Sequence, residues 1–438
     1  MKKLINFILM LVLSVLIISS AFCPTNAFAS ELKKTDAESY VLIDAATNQV
    51  ILGKNENEVL VPASTTKVMT SILVLENTKL TDKVTIGDNP PNAEGTSLGL
   101  KKGEVYTVED LMHGLLLESA NDCAMALAEF VGGSKANFVK MMNDKAKTLG
   151  LEKTTFVNPS GLWENDNVTT NKTTAYELSL MMKEVLKYPD YIRISQAHSY
   201  KFPVSQKDTF EKWANNKNSL LFKNNPHYYA ETIAGKCGYT VKSKHTFVAA
   251  AQKNGRTLIL AIMKSSSKED YFPFAKSLFE YGFNDTSLVK LYSKDEEVST
   301  YKNKTSVSVP LIAGQDVFYV VNNKDFSKDQ LSNIGIMKKL LDPKITYGQI
   351  NIDKNSIKKG DILVTADLEV KGKKYTQLSL NSGIDIDKHV ASNNSNTADH
   401  SVLVNSLIIT ALCIFLIAYM SYKKYKAYKQ KRDSLDEI

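Results

Sequence analysis

The chain has 438 residues, 43% of them hydrophobic and 23% charged, with 20 glycines and 11 prolines. That length suffices for two or three domains, and the composition excludes disordered, collagen-like and knottin-like chains. The formal charge is +7, but Lys2 and Lys3 at the front, and six basic against three acidic residues from position 402 onward, carry most of it; the middle of the chain lacks the basic stripe that nucleic-acid binding needs.

In chain order, Lys2 and Lys3 precede an apolar run over 4–18, and Ala27-Phe28-Ala29 supplies the small-x-small pattern of a signal-peptidase site. Residues 1–29 therefore read as a cleaved secretory signal. Cys23 follows the bulky Phe22, which argues against a lipoprotein anchor. Two short strands are expected over 39–43 and 49–52, around a polar turn. From Ser64 the spacing of Val68, Met69, Ile72, Leu73 and Leu75 predicts a helix apolar on most sides, hence buried. Thr107-Val-Glu-Asp110 resembles a capping box that starts a second helix. Further helices are expected between Ser134 and Gly150 and from Thr174. The runs 247–251 and 257–263 around Asn254-Gly255 predict a β-hairpin.

From 284 to 386 the chain becomes strand-rich, with runs over 306–311, 316–321, 361–366 and 375–380, and reads as a small β domain. Residues 387–401 are a polar linker. Residues 402–422 hold no charge and match the ~20 residues needed to span a bilayer. The basic tail 423–438 follows directly, which keeps that end cytoplasmic. The expected arrangement is an extracytoplasmic body tethered to the cell membrane by a C-terminal transmembrane helix.

Of four cysteines, only Cys123 and Cys237 lie in the exported body. A disulfide scaffold is excluded, while a single bridge between these two stays open. The six histidines show no ligand spacing, so neither a metal site nor another cofactor is expected.

Three short motifs carry chemistry. Ser64 and Lys67, three apart on a helix, share a face, and a lysine among apolar residues and other cations has a lowered pKa and serves as a base toward serine. The helix start offers free N–H groups to an oxyanion. Ser119-Ala-Asn121 lies at a junction between helices, where it presents a hydroxyl and an amide to a cleft. Lys236-Cys237-Gly238 offers a cation and a position without a side chain, so that a substrate backbone can lie against the strand. Each motif alone has an ordinary structural reading: a capped helix with a surface lysine, a helix cap at Asn121 or Asp122, and a strand-entry lysine with a bulge glycine. The Ser-x-x-Lys spacing recurs at Ser30 and Ser265, among others.

In this order and context the three resemble the motifs of the penicillin-interacting serine D-alanyl-D-alanine carboxypeptidases, the low-molecular-mass penicillin-binding proteins. The matching segments are 62–67, 108–122 and 235–240. Residues 158–162 are similar to a further family segment, and 357–363 to the β-rich domain that follows the catalytic one. The resemblance implies an α+β, β-lactamase/transpeptidase-like catalytic domain over 30–283, a mainly antiparallel five-stranded sheet flanked by helices, followed by the β domain over 284–386. It implies that Ser64 attacks the carbonyl of the penultimate D-alanine of a peptidoglycan stem peptide and forms an acyl-enzyme, with Lys67 taking its proton. Ser119 relays that proton to the leaving D-alanine, Asn121 holds the substrate amide, and Lys236 favours the terminal carboxylate. The backbone N–H groups of Ser64 and Tyr239 form the oxyanion hole. β-Lactams would acylate the same serine.

Two positions depart from the family. Cys237 stands where threonine is usual, replacing a hydroxyl by a weak donor, with Thr240 expected to take over part of the contact. Ser160 stands where many relatives have histidine. A β-lactamase-like hydrolase is the nearest competing reading, but no Glu-x-x-Leu-Asn occurs between Gly150 and Lys236. A catalytically weak wall-binding or scaffolding relative is the alternative outside enzymes.

Overall fold

The computed structural model describes residues 32–164, 168–205, 211–302, 308–350 and 356–386, together with residue 423. The expected signal, linker, membrane span and all but one residue of the tail lie outside the described residues. Among the described residues, no helix is long and apolar enough to cross a membrane.

The described residues up to Val289, joined by Tyr319–Ser332, form one compact unit. Its centre is a sheet of five strands: β1 (Ser39–Asp44), β2 (Val50–Lys54), β3 (Thr232–Thr240), β4 (Lys244–Lys253) and β5 (Arg256–Ser265). They run in the order β2-β1-β5-β4-β3, antiparallel throughout, which leaves β3 at one edge. The β4–β5 hairpin turns on Asn254 and Gly255, both at positive φ (50° and 79°), the backbone that a two-residue hairpin loop demands.

Successive strand residues face opposite sides, and both sides are covered. Val248 and Ala250 of β4 and Ile259, Ala261 and Met263 of β5 enter one core. There they meet helices α1 (Lys67–Asn77), α2 (Asn121–Gly132), α3 (Lys135–Thr148) and α4 (Ala175–Val185). Phe247, Ala249, Leu258, Leu260 and Ile262 point the other way, into a core closed by α5 (Lys268–Asp285). This explains why β4 and β5 read as nearly unbroken apolar runs instead of alternating ones. Every residue of α1 from Lys67 to Val74 is buried, as its all-round apolar pattern requires.

Ser64 does not sit in α1 itself. It lies in a 3-10 turn, Ala63–Thr66, that feeds the helix. Thr65 and Thr246 hold this turn by donating their hydroxyls to the Pro62 carbonyl, at 2.7 and 2.8 Å. The loop 158–162 packs on it. Thr70 donates to the Pro159 carbonyl (2.7 Å), and the buried Asn171 amide bridges Thr66 Oγ1 and the Asn158 carbonyl, both at 3.0 Å. At Gly161, with φ +85°, an added Cβ would fall 1.8 Å from the Ala63 carbonyl oxygen.

Residues Lys290–Phe318 and the described residues from Asn333 onward form the second unit. It carries an antiparallel sheet in the order Glu297–Lys302, Ser308–Ala313, Lys373–Ser382, Ile362–Val370, Lys344–Thr346.

The Gly161 contact yields a stability prediction. Gly161→Ala lowers the unfolding free energy by about 2 kcal/mol or more, since clash adds to backbone strain. Gly133→Ala, at φ +70° with nothing within 4 Å, costs about 1 kcal/mol from strain alone. Urea denaturation of both variants checks this, and equal losses would show that the Ala63 carbonyl is not what requires glycine.

Candidate active site

Lys67 is 0% exposed. Its Nζ lies 2.9 Å from Ser64 Oγ, 2.7 Å from Asn121 Oδ1 and 2.9 Å from the Ser160 carbonyl oxygen. Burial, reinforced by the nearby Lys236 charge, holds its pKa well below the ordinary lysine value. Three partners of this kind suit a neutral amine: two N–H bonds serve the two carbonyl-type oxygens, and the lone pair faces the serine hydroxyl.

Ser119 ends a single π-type turn, Gly114–Glu118, in the left-handed region at φ 68°. That conformation is costly for serine and persists only where surrounding structure enforces it. Here it brings Oγ within 2.9 Å of Lys236 Nζ. Lys236 lies in the middle of β3, not at its start, and is 2% exposed. Its ammonium also donates to the Cys237 carbonyl at 2.9 Å, and burial pulls its pKa down to about 8.

Gly238 follows on the same edge strand. A Cβ there would sit 2.8 Å from the Ser64 backbone nitrogen and 2.4 Å from Thr246 Oγ1, so only glycine lets β3 lie against the Ser64 turn. Ser64, Ser119, Cys237, Gly238 and Tyr239 line one cleft of about 230 Å³.

Two side chains depart from the sequence expectation. Asn121, expected to hold a substrate amide, has both ends engaged: Oδ1 on Lys67 and Nδ2 donating to the Glu94 carbonyl at 2.6 Å. Thr240, expected beside the substrate, does not line the Ser64 cleft; its hydroxyl pairs with Ser243 Oγ at 2.6 Å and accepts from Trp163 Nε1 at 3.3 Å. The reason is register, since Thr240 lies at the last position of β3, where the strand turns back.

Cys123 and Cys237 are both free thiols. Cys123 is buried in α2, and an added Cβ at Gly114 would come within 2.5 Å of its sulfur; burial raises its pKa well above the usual thiol value. The bridge left open by sequence is therefore absent.

Other contributors were given no role by the sequence reading. Ser160 acts on Lys67 through its main-chain carbonyl, so the identity of its side chain is not read there. Asn171, in a polar stretch without pattern, anchors the loop that delivers that carbonyl. Asp122, buried next to Asn121, accepts from Ser97 Oγ and from the backbone N–H groups of Leu98 and Leu100 at 2.7–3.1 Å, fixing the opposite wall. Its sequence signals were its place at a helix start and at the end of the 108–122 segment.

Comparison with known proteins gives the family of the chain. The family model described as D-alanyl-D-alanine carboxypeptidase matches residues 26–267. The chain is 31% identical over 309 residues to D-alanyl-D-alanine carboxypeptidase DacF of Bacillus subtilis, covering 69% of this chain and 77% of that protein. It is 29% identical to DacC of Escherichia coli over 82% of this chain and 87% of the relative. Among solved structures, D-alanyl-D-alanine carboxypeptidase of Mycobacterium tuberculosis superposes with a TM-score of 0.53 at 33% identity, covering 59% of this chain and 95% of that one. Penicillin-binding protein 5 of Haemophilus influenzae shares the fold with a TM-score of 0.64 at 24% identity, over 82% and 99% of the two chains. The chain thus belongs to the D-alanyl-D-alanine carboxypeptidase family and is a serine-type hydrolase of peptidoglycan peptides that end in D-Ala-D-Ala.

Proposed function

We propose that the protein removes the terminal D-alanine of stem pentapeptides through an acyl-enzyme on Ser64, outside a membrane to which its C-terminus is anchored. The observation that carries this reading is the neutral-amine environment of Lys67 beside Ser64 Oγ. The amine takes the hydroxyl proton as Oγ adds to the carbonyl carbon of the penultimate D-alanine. The oxyanion is received by the N–H groups of Ser64 and Tyr239. Ser119, whose oxygen already accepts from Lys236, relays the proton that Lys67 took up: its own proton goes to the leaving nitrogen and the Lys67 proton replaces it, so both residues return to their starting state. Collapse breaks the C–N bond, frees D-alanine and leaves an ester, which water hydrolyses. Asn121 is a positioning residue for Lys67. A β-lactam amide enters by the same addition, but its opened ring stays attached.

The β-lactamase alternative lacks support in the acids beside the site. Glu164 lines the cavity next to Asn121 and Ser160, but its carboxylate is taken by Lys135 at 2.9–3.0 Å and by the Asn158 amide at 2.8 Å.

The proposed organisation is a signal at 1–29, catalytic domain at 30–283, β-rich domain at 284–386, linker at 387–401, membrane span at 402–422 and cytoplasmic tail at 423–438, with 284–289 and 319–332 of the β-rich stretch belonging to the compact unit of the catalytic domain. Stopping the chain after residue 401 is expected to move it from the membrane fraction to the medium; retention in the membrane would remove the anchor from this reading.

Incubation with a labelled penicillin is expected to give one covalent adduct, absent in Ser64→Ala. The same variant loses D-alanine release from a pentapeptide by at least about 1000-fold. An adduct that survives the substitution would sink the assignment of Ser64.

The two lysines set the pH profile. Lys67 must be unprotonated, so kcat/KM falls as pH drops through its depressed pKa. Lys236 must be charged, so kcat/KM also falls as pH rises through about 8. Because the Lys236 charge helps depress Lys67, Lys236→Met shifts the acidic limb of penicillin acylation to higher pH. An unmoved limb would show that the two lysines are not coupled.

A further inference from the structure

Trp163 borders more than the catalytic groove. On one side it lines, with Asn121 and Ser160, the space next to Lys67. On another it lines a cavity of about 420 Å³ with the apolar residues 59–61 and with Lys172, Lys242 and Lys264. The three lysines come from separate segments: the stretch before α4, the turn after β3 and the end of β5. None of them enters the scheme above.

Two features fix this arrangement. The Trp163 indole N–H donates to Thr240 Oγ1 at 3.3 Å, and the Lys242 ammonium lies 4.5 Å from the centroid of its ring, a cation–π contact that holds the charge at the cavity. Lys264 is set by the backbone. β4 and β5 pair Thr246 with Met263 but His245 with Ser265, so Lys264 is the extra residue of a β-bulge, at φ 60°. A left-handed lysine is costly and persists only where surrounding structure enforces it, and bulges re-aim a side chain. The Lys264 side chain is 41% exposed and gives one donor to Glu38 at 2.5 Å, out of the three that an ammonium carries.

Cations gathered around one cavity repel one another, and an incoming anion relieves that repulsion. Lysine presents a compact point charge with rotatable donors, which suits the spread charge of a phosphate. The volume falls within the roughly 300–1,000 Å³ of small-molecule sites, so the cavity takes more than a lone ion. Trp163 and residues 59–61 offer aromatic and apolar surface to a carbon skeleton.

We propose that this cavity is an exosite for a sugar-phosphate or polyol-phosphate chain, with phosphodiester groups on Lys172, Lys242 and Lys264 and the carbon skeleton against Trp163. Since Trp163 also borders the catalytic groove, a chain held there lies beside a peptide at Ser64. The exosite tethers the protein to an anionic polymer and takes no part in the chemistry, so it does not depend on the carboxypeptidase reading.

The test titrates the full chain in detergent with a glycerol phosphate hexamer, with inorganic phosphate, and with detergent micelles doped with phosphatidylglycerol. The hexamer is expected to bind at least about tenfold more tightly than inorganic phosphate, because several lysines engage one chain, and to weaken with added salt. Lys172→Gln and Lys264→Gln each weaken the hexamer about threefold and together about tenfold, the scale of exposed charge pairs that add. Both leave the rate of penicillin acylation at Ser64 unchanged, which also reports a folded protein. Lys172 is not at positive φ, so its variant decides the matter should Lys264→Gln fail to fold. In a Trp213→Phe background Trp163 is the only tryptophan of the chain, and its emission is expected to change on saturation. No binding of the hexamer, binding undiminished by the substitutions, or Trp163 emission indifferent to bound hexamer would overturn the proposal. Inorganic phosphate binding as tightly as the hexamer would reduce the cavity to a plain anion site, and capture by the doped micelles in place of the hexamer would assign it to lipid; either result overturns the polymer. Hexamer binding by a protein that releases no D-alanine leaves the exosite standing while the carboxypeptidase reading falls.

Discussion

An ammonium group buried without an anion is so unfavourable that the protein must either neutralise it or supply a counter-charge. Lys67, fully enclosed at the start of α1, has its three polar contacts with two carbonyl-type oxygens and a hydroxyl, none of them an anion. Among the charges acting on it, the cation Lys236 adds to the depression of its pKa and outweighs Asp122, which opposes it. The site is thus built to hold an amine, and much of the surrounding structure supplies the contacts that a neutral amine needs. Asn121 delivers one oxygen and the 158–162 loop another. The 3-10 turn delivers the hydroxyl.

That requirement accounts for features that look unrelated along the chain. The loop must reach Lys67 with a main-chain carbonyl, so it is pinned by Asn171 and Thr70 and pressed so close to the Ser64 turn that Gly161 has no room for a side chain. Asn121 must present its oxygen inward, so its amide nitrogen is held from behind by the Glu94 carbonyl. On the other side, β3 closes the cleft as an edge strand. Its outer edge pairs with no further strand of that sheet, the kind of edge to which an extended peptide can add, and Gly238 leaves room at the level of the Ser64 nitrogen.

Much of this was legible because local rules and the global fold agree. The i, i+3 spacing of Ser64 and Lys67 survives the change from α-helix to 3-10 turn, since in either geometry the two side chains lie on neighbouring ground. The hairpin at Asn254-Gly255 was announced by the two residue types best able to adopt positive φ. The all-round apolar character of α1 declared its central position. What stayed hidden depends on contacts between distant segments. Nothing in the spacing of Asn121 distinguishes an amide aimed at substrate from one aimed at Lys67, because that choice is made by Glu94, which is 27 residues away. The Ser160 carbonyl has no sequence signature at all, since every residue carries one. Thr240 looked close to the motif by count, but two residues along a strand are several ångströms, enough to move its hydroxyl to Ser243 and Trp163.

The two buried lysines differ in a way that assigns their parts. Both lose solvent and both are drawn down, Lys236 to about 8 and Lys67 well below the ordinary lysine value. Because the contacts of Lys67 suit a neutral amine, the positive charge of the pair falls to Lys236. Like charges this close resist joint protonation, so the state with one proton is favoured over a range of pH. The asymmetry follows from position. Lys67 is fully enclosed at the start of α1 beside Ser64. Lys236 is seated on the edge strand beside Ser119, bordering the cleft. An arriving carboxylate would stabilise the Lys236 charge further and leave Lys67 the group able to accept a proton. In the proposed reaction, binding of an anionic terminus and activation of the nucleophile would be one electrostatic event, shared by two residues whose presence the net charge of the chain does not disclose.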